Sequence, residues 1–300
     1  MRVTVTGATG LIGSRLIAGL KRRGADVTVL SRDPGRARAS LSVEAAAWDA
    51  DREPAPAHAL AGRDAVVHLA GEPVAQRWTS GAKERIRGSR ELGTRNLVEG
   101  LREAEPRPAA LVSSSAVGYY GPHGDEVLDE QAAPGSDFLA EVTRVWEREA
   151  DRAGELGLRV VRVRTGVVLD PRGGALKKML WPFRLGVGGP VAGGRQYMPW
   201  IHVDDVVGIY ERALADDTWS GAVNATAPGP VTNRAFSKAL GRALRRPALA
   251  PVPALAIRIL YGEMAVIVTT GQRAVPRRTQ DLGYSFAHPD LDEALRAALA

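Results

Sequence analysis

The sequence predicts an α/β fold in which helices cover a doubly wound parallel sheet, with a smaller, discontinuous C-terminal lobe that binds substrate. The first half of the chain alternates short β-branched runs with longer amphipathic segments, the pattern of repeated strand–helix–strand units. A glycine-rich turn, Gly7 to Gly13, joins the first strand to the first helix. After Val168 the chain becomes rich in glycine, proline and aromatic residues, which is typical of irregular structure over a ligand.

Each element follows from its local pattern. The run Arg2 to Thr6 is short, apolar and β-branched, and Gly24 ends the helix that follows it. The predicted strands are Arg2–Thr6, Asp26–Leu30, Val43–Trp48, Asp64–Ala70, Ala109–Ser113 and Arg159–Arg164. The predicted helices are Leu11–Arg23, Ser80–Ala104, Asp137–Ala153 and Leu291–Ala300, with further regular elements at Val203–Ala215 and Asn233–Leu244.

This pattern divides the chain into two units. The predicted nucleotide-binding domain is 1–168, completed by a later piece at about 199–228. The predicted smaller lobe combines 169–198 with 229–300. Because the lobe is assembled from separate pieces, the sequence gives only approximate boundaries.

Composition excludes several classes of protein. The 300 residues contain no cysteine, which excludes thiol catalysis, disulfides and cysteine-ligated zinc, and no metal site is predicted. No run reaches the roughly 18 apolar residues of a bilayer-spanning helix, so we expect a soluble protein without a membrane partner. The start of the chain does not resemble a signal peptide, which together with the lack of cysteine favours the cytoplasm. The net charge is +6, but the cations are spread along the chain and interleaved with acids, so no nucleic-acid partner is expected.

The turn after the first strand predicts a phosphate-binding loop. Glycines permit the tight turn and let the backbone approach a pyrophosphate, while the helix N-terminus offers unpaired N–H groups and a partial positive charge. Gly13 allows the helix to pack closely on the strand. The turn lies between a strand and a helix, as such a loop requires, although turns also use glycine for purely structural reasons. The predicted loop residues are Gly7, Thr9, Gly10, Leu11, Ile12 and Gly13.

The end of the second strand indicates which dinucleotide is bound. An NAD-binding protein usually has an acidic residue there, which hydrogen-bonds the adenosine ribose and repels a 2′-phosphate. Here Ser31 and Arg32 stand in its place, and both can bind a phosphate. We therefore predict NADP as the cofactor. The alternative is that Arg32 is a solvated turn residue and Asp33 supplies the acid.

The chain resembles the extended short-chain dehydrogenase/reductase family, in the atypical NAD-dependent epimerase/dehydratase branch labelled "epimerase family protein". The glycine spacing TGxxGxxG carries the resemblance, together with other motifs over essentially the whole chain: Leu69–Gly71, Gly93–Leu97, Ser113–Ser115, Trp200–Asp205 and Leu282–Tyr284. The branch is indicated by SSSAVGYYG, WPFRLGVGGP, GEMA at 262–265 and GQRAVP at 271–276, the last two in its characteristic C-terminal segment. The resemblance implies a Rossmann-type fold.

The resemblance also implies further cofactor contacts. The backbone of Leu69 and Ala70, followed by Gly71, should lie beside the ribose. The other residues implied are Arg85 and Arg90 on the next helix, Ser113 at the end of the fifth strand, and Val168 after the sixth. Arg90 stands where typical members have asparagine, so its role here can differ. Asp49, just past the third strand, is a weaker candidate for facing the adenine.

The catalytic residues of typical family members are largely missing. Such members use a tyrosine as acid/base, a lysine four residues later that lowers its pKa, and a serine after the fifth strand. Ser115 matches the serine. The tyrosine would fall near Asp137 and Phe138 and the lysine at Val142, and no tyrosine or lysine occurs between Gly121 and Leu176.

Three interpretations remain open. In the first, an altered reductase or epimerase moves the proton with another group, for which Tyr119, Tyr120 and, less strongly, His202 are candidates, while Arg195 and Gln196 contact substrate. In the second, the chain is an NADP(H)-binding sensor or regulatory protein that has lost the chemistry. In the third, the chain is a purely structural scaffold, an interpretation that leaves the glycine loop unexplained. The sequence leaves the small-molecule substrate unknown, and helix-pair homodimers are common in the family although no residue here demands one.

Overall fold

The computed structural model describes all 300 residues, and a seven-stranded parallel sheet lies at its centre. The strands are β1 (Arg2–Thr6), β2 (Asp26–Ser31), β3 (Glu44–Ala47), β4 (Ala65–His68), β5 (Ala110–Ala116), β6 (Val127–Leu128), β7 (Arg159–Thr165), β8 (Val167–Leu169), β9 (Tyr197–Met198), β10 (Trp200–His202), β11 (Gly221–Ala225), β12 (Val231–Thr232) and β13 (Arg273–Ala274). The order in the sheet is β11-β7-β5-β4-β1-β2-β3. The strands that follow β1 are added first on one side (β2, β3) and then on the other (β4, β5), so the strand order reverses at β1. Such a reversal opens a crevice at the carboxyl ends of β1 and β4.

Helices cover both faces of this sheet. The α-helices of the chain are α1 (Leu11–Arg22), α2 (Pro34–Leu41), α3 (Ser80–Glu103), α4 (Phe138–Asp151), α5 (Gly174–Arg184), α6 (Val203–Ala215), α7 (Asn233–Leu244), α8 (Ala254–Tyr261), α9 (Val266–Thr269), α10 (Arg277–Asp281) and α11 (Leu291–Leu299). One core joins the sheet to Leu16 of α1 and Tyr210 of α6, and a second joins it to Leu97 of α3 and Ala150 of α4. None of the helices combines the length and the hydropathy that a bilayer-crossing segment requires.

A separate core is formed by later parts of the chain. It packs Phe183 of α5 and Phe236 of α7 against Leu295 of α11 and the buried Trp200. Three two-stranded pairs accompany it: β8 with β10, β9 with β12 and β6 with β13. The buried Asp205 holds the last segment in place, because its carboxylate accepts hydrogen bonds from the backbone N–H of Ala287 (2.7 Å) and His288 (3.0 Å). The predicted residue bounds of the two units stay a prediction.

The predicted fold class is confirmed, and the elements differ from their predicted bounds in a few places. β5 continues beyond the predicted Ser113, since it pairs with β7 as far as Ala116. β11 was not predicted because Gly221–Ala225 contains a single β-branched residue. α2 was also missed: it has no apolar period, although Asp33 at its N-cap and Pro34 are start signals. α5 forms inside the segment predicted to be irregular, and Pro182 near its end removes only one backbone donor.

Candidate cofactor and active site

The glycine loop between β1 and α1 is built so that backbone meets backbone. Gly7 has φ +63°, and a Cβ there would lie 2.5 Å from the carbonyl carbon of Leu69. A Cβ on Gly13 would lie 2.6 Å from the carbonyl oxygen of Gly7. No side chain fits at either position without moving the backbone, so the loop and the end of β4 form one close-packed cradle at the crevice.

The N-terminus of α1 has no side-chain cap. Gly10 occupies its N-cap position, and the first turn contains no acidic residue. A side chain caps six of the other helices, whereas α5, α8, α9 and α10 also lack such a cap. The capped helices are α2, α3, α4, α6, α7 and α11, from Asp33, Thr79, Asp137, His202, Thr232 and Asp290 respectively. The first N–H groups of α1 therefore remain available to an anion at the crevice, with the loop residues Thr9, Leu11 and Ile12 around them.

A buried chain of hydrogen bonds fixes the end of β4 against β1. The Thr6 hydroxyl accepts the N–H groups of Leu69 and Ala70, each at 3.2 Å, and lies 2.8 Å from Nδ1 of His68. Because the hydroxyl proton is then directed to Nδ1, the other ring nitrogen of His68 carries the hydrogen and donates to Thr94 at 3.1 Å. Burial lowers the pKa of His68 to about 4, so the ring is neutral at physiological pH.

The low pKa of His68 predicts that the folded protein loses stability in acid. The pKa of His68 is about 4 in the folded chain and near 6.5 in the unfolded chain, so the unfolded chain binds more protons between these values. Its contribution to stability is complete above pH 6.5 and is lost as the pH falls toward 4, by about 3 kcal/mol in total. Chemical denaturation across this range should show a shallower pH dependence for His68→Asn than for the wild type. The exposed His58→Gln serves as control, and equal slopes for all three proteins would contradict this role of His68.

The end of β2 presents a cation and a hydroxyl. Arg32 is exposed and forms no ion pair with a carboxylate. Its positive charge acts to lower the pKa of Asp51, which burial raises overall. Ser31 accepts the N–H of Asp33 at 3.2 Å. The Asp33 carboxylate accepts the N–H of Arg36 at 2.9 Å and so caps α2. Asp33 is therefore engaged in a helix cap, which disfavours its use as the ribose-binding acid.

The two arginines of α3 lie in different environments. Arg85 is exposed, and its Nε lies 3.7 Å from a carboxylate oxygen of Glu72. Arg90 is packed between the residues after β4 and α4: it donates to the carbonyl of Glu72 at 3.0 Å and lies 4.9 Å from the Trp146 ring centroid. Burial lowers the pKa of Arg90 to about 10. A Cβ on Gly71 would lie 3.4 Å from the central carbon of this guanidinium, so Arg90 packs beside the segment that follows β4 and supports it.

The serines of β5 point to opposite sides of the sheet. Ser113 is buried and donates to the carbonyl of Ser114 at 3.2 Å, while the Ser114 hydroxyl lies 2.6 Å from the hydroxyl of Tyr210. Ser115 is 3% exposed and donates to Oε1 of Glu147 at 2.5 Å. Val168, also predicted at the cofactor site, is half-buried on β8 and packs against the core under α1 and α6.

Behind Ser115 lies a buried polar network that the sequence did not reveal. Glu147 of α4 holds Arg164 of β7 with two hydrogen bonds of 2.8 and 2.9 Å. Arg164 donates to the hydroxyl of Tyr120 at 3.2 Å, and Tyr120 in turn donates to Asn224 of β11 at 2.8 Å.

Tyr120 is fully buried, and burial raises its pKa to about 12. The Tyr119 ring lies under the same guanidinium, 3.5 Å from its central carbon. Both tyrosines therefore belong to a packed structural unit.

Apolar packing occupies the place of the missing tyrosine and lysine. Val142 is buried in a cluster with Trp78, Ile86 and Met264, against which Phe138 also packs. Asp137 caps α4 by accepting the N–H of Ala140 at 2.9 Å. At the positions where the tyrosine and lysine would fall, the side chains are therefore apolar or engaged in a helix cap.

The other candidates near the crevice also have structural partners. His202 caps α6 by accepting the N–H of Asp204 at 3.2 Å, and burial lowers its pKa. Gln196 donates to the carbonyls of Val191 and Val268, whereas Arg195 is exposed.

His202, Asp204 and His288 lie close enough together to be considered as metal ligands. However, Arg15 approaches the same Asp204 carboxylate, at 3.9 Å, and its positive charge competes with a metal ion.

Comparisons with known proteins identify the family. The NAD dependent epimerase/dehydratase family matches residues 3–225, and a domain of unknown function, DUF1731, matches residues 252–298. The chloroplastic epimerase family protein SDR39U1 homolog of Arabidopsis thaliana is 40% identical over 310 residues, covering 100% of this chain and 87% of the relative. An epimerase family protein of Mycobacterium tuberculosis, MT2273, is 42% identical over 295 residues, covering 98% of this chain and 96% of the relative.

A solved structure gives the same result. The crystal structure of human epimerase family protein SDR39U1 (isoform2) with NADPH superposes with a TM-score of 0.90 at 37% identity and covers 99% of both chains. The predicted resemblance, including its C-terminal segment, is thereby confirmed. The chain belongs to the NAD dependent epimerase/dehydratase family, in the epimerase family protein branch that carries the DUF1731 segment.

Proposed function

We propose that this chain binds NADP(H), with the pyrophosphate at the N-terminus of α1 and the adenosine 2′-phosphate at Arg32. The observation that carries the proposal is the close-packed turn of Gly7 and Gly13, where a Cβ would clash with neighbouring backbone, directly before a helix N-terminus that no side chain caps. The human relative solved with NADPH supports the same cofactor. Arg32 and Ser31 in place of an acid favour the phosphorylated dinucleotide.

Each part of the site has a distinct task in this proposal. The backbone N–H groups of Leu11, Ile12 and Gly13 would donate to the pyrophosphate, whereas the N–H of Gly10 donates to the carbonyl of Gly7 at 3.0 Å. The residues after β4, held by His68 and Arg90, provide a fixed wall beside the ribose, and Val168 lines the opposite side. When bound, NADP(H) would supply hydride transfer, and the protein would supply binding, orientation and exclusion of water.

The proposed reaction is oxidoreductase-like or epimerase-like, on a small carbonyl, hydroxyl or sugar-nucleotide-like substrate. We infer that neither Tyr119 nor Tyr120 replaces the missing acid/base, since both rings pack against the buried Arg164. Tyr120 is enclosed by its partners Arg164 and Asn224, and a raised pKa makes it a poor proton donor near neutral pH. The proton would then be exchanged by the substrate or by water, while the chain positions the reacting carbon.

A second candidate function is an NADP(H)-binding sensor without turnover. It is favoured by the engagement of Ser115 with Glu147, which removes from the active site the serine that matches the family's catalytic group. In this alternative the cofactor stabilises the cradle and the residues after β4, and the response is conformational. A cytoplasmic location and a homodimer stay proposals as well, and one curated relative is chloroplastic.

Turnover measurements on tyrosine variants distinguish these functions. Tyr119→Phe and Tyr120→Phe are expected to keep NADPH oxidation within about threefold of the wild type, because loss of a true general acid costs roughly 10²–10⁴-fold. The assay follows NADPH absorbance over a panel of carbonyl compounds and sugar nucleotides, with melting temperatures as the control for folding. A hundredfold loss in a folded variant would restore that tyrosine as the proton donor. Tight NADPH binding without turnover by any protein of the set supports the sensor.

A further inference from the structure

Charge is distributed very unevenly in this protein. Residues 171–203 and 218–262 contain no aspartate or glutamate, contrary to the even interleaving of charges expected from the whole sequence. They contain eleven cations, so the rest of the chain carries a net charge of −5 although the whole carries +6. The cations are Arg172, Lys177, Lys178, Arg184, Arg195, Arg234, Lys238, Arg242, Arg245, Arg246 and Arg258.

The same segments expose large apolar side chains. None of the eight residues of the apolar helix α8 is buried. Trp181 is 72% exposed, whereas the other five tryptophans are at most 7% exposed. The exposed set on α5, on α8 and on the chain near them is Trp181, Leu185, Val187, Leu249, Leu255, Ile259 and Leu260, each between 57% and 80% exposed.

These side chains belong to one continuous region. The chain after α5 runs beside the chain before α8: the N–H of Val252 donates to Pro190 at 2.9 Å, and Val252 accepts from Ala192 at 3.0 Å. The residues after β4 adjoin both helices, because Lys178 of α5 donates to the carbonyl of Ala75 at 2.6 Å and Arg77 donates to that of Ile259 at 3.0 Å. The basic apolar face, defined as the exposed residues of 177–187 and 245–260, therefore adjoins the segment that leads out of the cofactor crevice.

We propose that the basic apolar face docks on the surface of an anionic phospholipid bilayer. Lys and Arg attract such a surface, while Trp, Leu and Ile enter the boundary between headgroups and acyl chains. A tryptophan is favoured at that depth because its ring is amphipathic. The proposal revises the expectation that the protein has no membrane partner. That expectation rested on the absence of a long apolar run, and surface contact of this kind needs no spanning segment. The DUF1731 segment, which begins at residue 252, would thus contribute a lipid-binding helix.

Charge argues against other occupants. A second copy of the chain, related by a twofold axis, would bring the same cations of this face against one another, with no acid in either segment to neutralise them. Nucleic acid would satisfy the cations but not the exposed aliphatic side chains of α8, since stacking on bases needs aromatic rings. An anionic bilayer complements both the charge and the apolar surface.

Vesicle binding tests the proposal. The full-length protein is expected to sediment with vesicles of roughly 30% phosphatidylserine in phosphatidylcholine at least about tenfold more than with pure phosphatidylcholine. Salt at about 0.5 M should abolish most of this binding. Emission from the exposed Trp181 should shift to the blue and become protected from acrylamide, and this response should be missing in Trp181→Phe.

Variants separate the proposed face from the rest of the surface. Leu255→Ser/Ile259→Ser and Arg245→Glu/Arg246→Glu should each reduce vesicle binding about tenfold without lowering the melting temperature. The matched controls are Leu92→Ser, an exposed leucine of α3, and Arg144→Glu/Arg148→Glu on α4, which should bind as the wild type does. Equal binding to neutral and anionic vesicles, or equal losses in the controls, would overturn the proposal. Concentration-dependent dimerisation lost in Leu255→Ser/Ile259→Ser, without vesicle binding, would assign the face to a second copy.

Discussion

An Arg32→Asp variant is expected to lose NADPH affinity by at least about tenfold and to bind NADH more tightly than NADPH. A charge-assisted hydrogen bond to phosphate contributes about 1.5–3 kcal/mol, which corresponds to one or two decades of affinity. The substitution also introduces a carboxylate that repels a 2′-phosphate and can accept from the ribose hydroxyls. Isothermal titration of both dinucleotides into wild type and variant measures the change in preference.

The surroundings of Arg32 allow the substitution to be interpreted in terms of cofactor binding alone. Arg32 is exposed and holds no ion pair, so its removal should not destabilise the fold. Arg22, an exposed arginine in the last turn of α1, provides the matched control as Arg22→Asp and should leave the NADPH to NADH ratio unchanged. A ratio unaltered in Arg32→Asp would show that another residue recognises the adenosine side.

A Glu147→Gln variant is expected to show the largest loss of stability of any single polar substitution proposed for this chain. Glu147 and Arg164 are each 4% exposed, and the variant leaves the Arg164 guanidinium buried without its counter-charge. Breaking a buried pair in this way costs about 3–5 kcal/mol. The melting temperature should fall by on the order of 10 °C. Scanning calorimetry of the apoprotein measures it directly.

An exposed ion pair supplies the control for this variant. Arg242 likewise donates to the Asp292 carboxylate from two nitrogens, Nε (3.2 Å) and Nη2 (2.7 Å), but the side chains of Asp292 and Arg242 are 41% and 61% exposed. Asp292→Asn should therefore lower the melting temperature far less than Glu147→Gln does. Similar melting temperatures for Glu147→Gln and Asp292→Asn would show that the network behind Ser115 does not hold the sheet to α4.

Much of the fold could be predicted from local sequence. The sheet strands β1, β2, β4 and β7 are β-branched runs, and the glycine turn lies between β1 and α1 as expected. Prediction failed where an element depends on partners that are distant in sequence. β11 is a strand because it pairs with β7, and β5 extends to Ala116 for the same reason, although neither stretch shows this in its own composition.

Only part of the candidate site, likewise, could be predicted from the sequence. The absence of a tyrosine and lysine on α4 is visible in the sequence, as is the replacement of an acid by Arg32. The environment of Ser115 is not visible, because its partner Glu147 lies 32 residues later on another element. Tyr120 followed the fifth strand and therefore suggested a catalytic role, but its partner Asn224 is 104 residues away. Burial and pairing, which decide whether a titratable group can react, arise only from the tertiary structure.

Binding of the pyridine dinucleotides to the folded wild-type protein tests the central claim most directly. Calorimetric titration should give saturable heat with NADPH at about one site per chain, and an affinity at least about tenfold above that for NADH. No heat and no rise in melting temperature with either dinucleotide would contradict the claim that the cradle of Gly7 and Gly13 is a cofactor site.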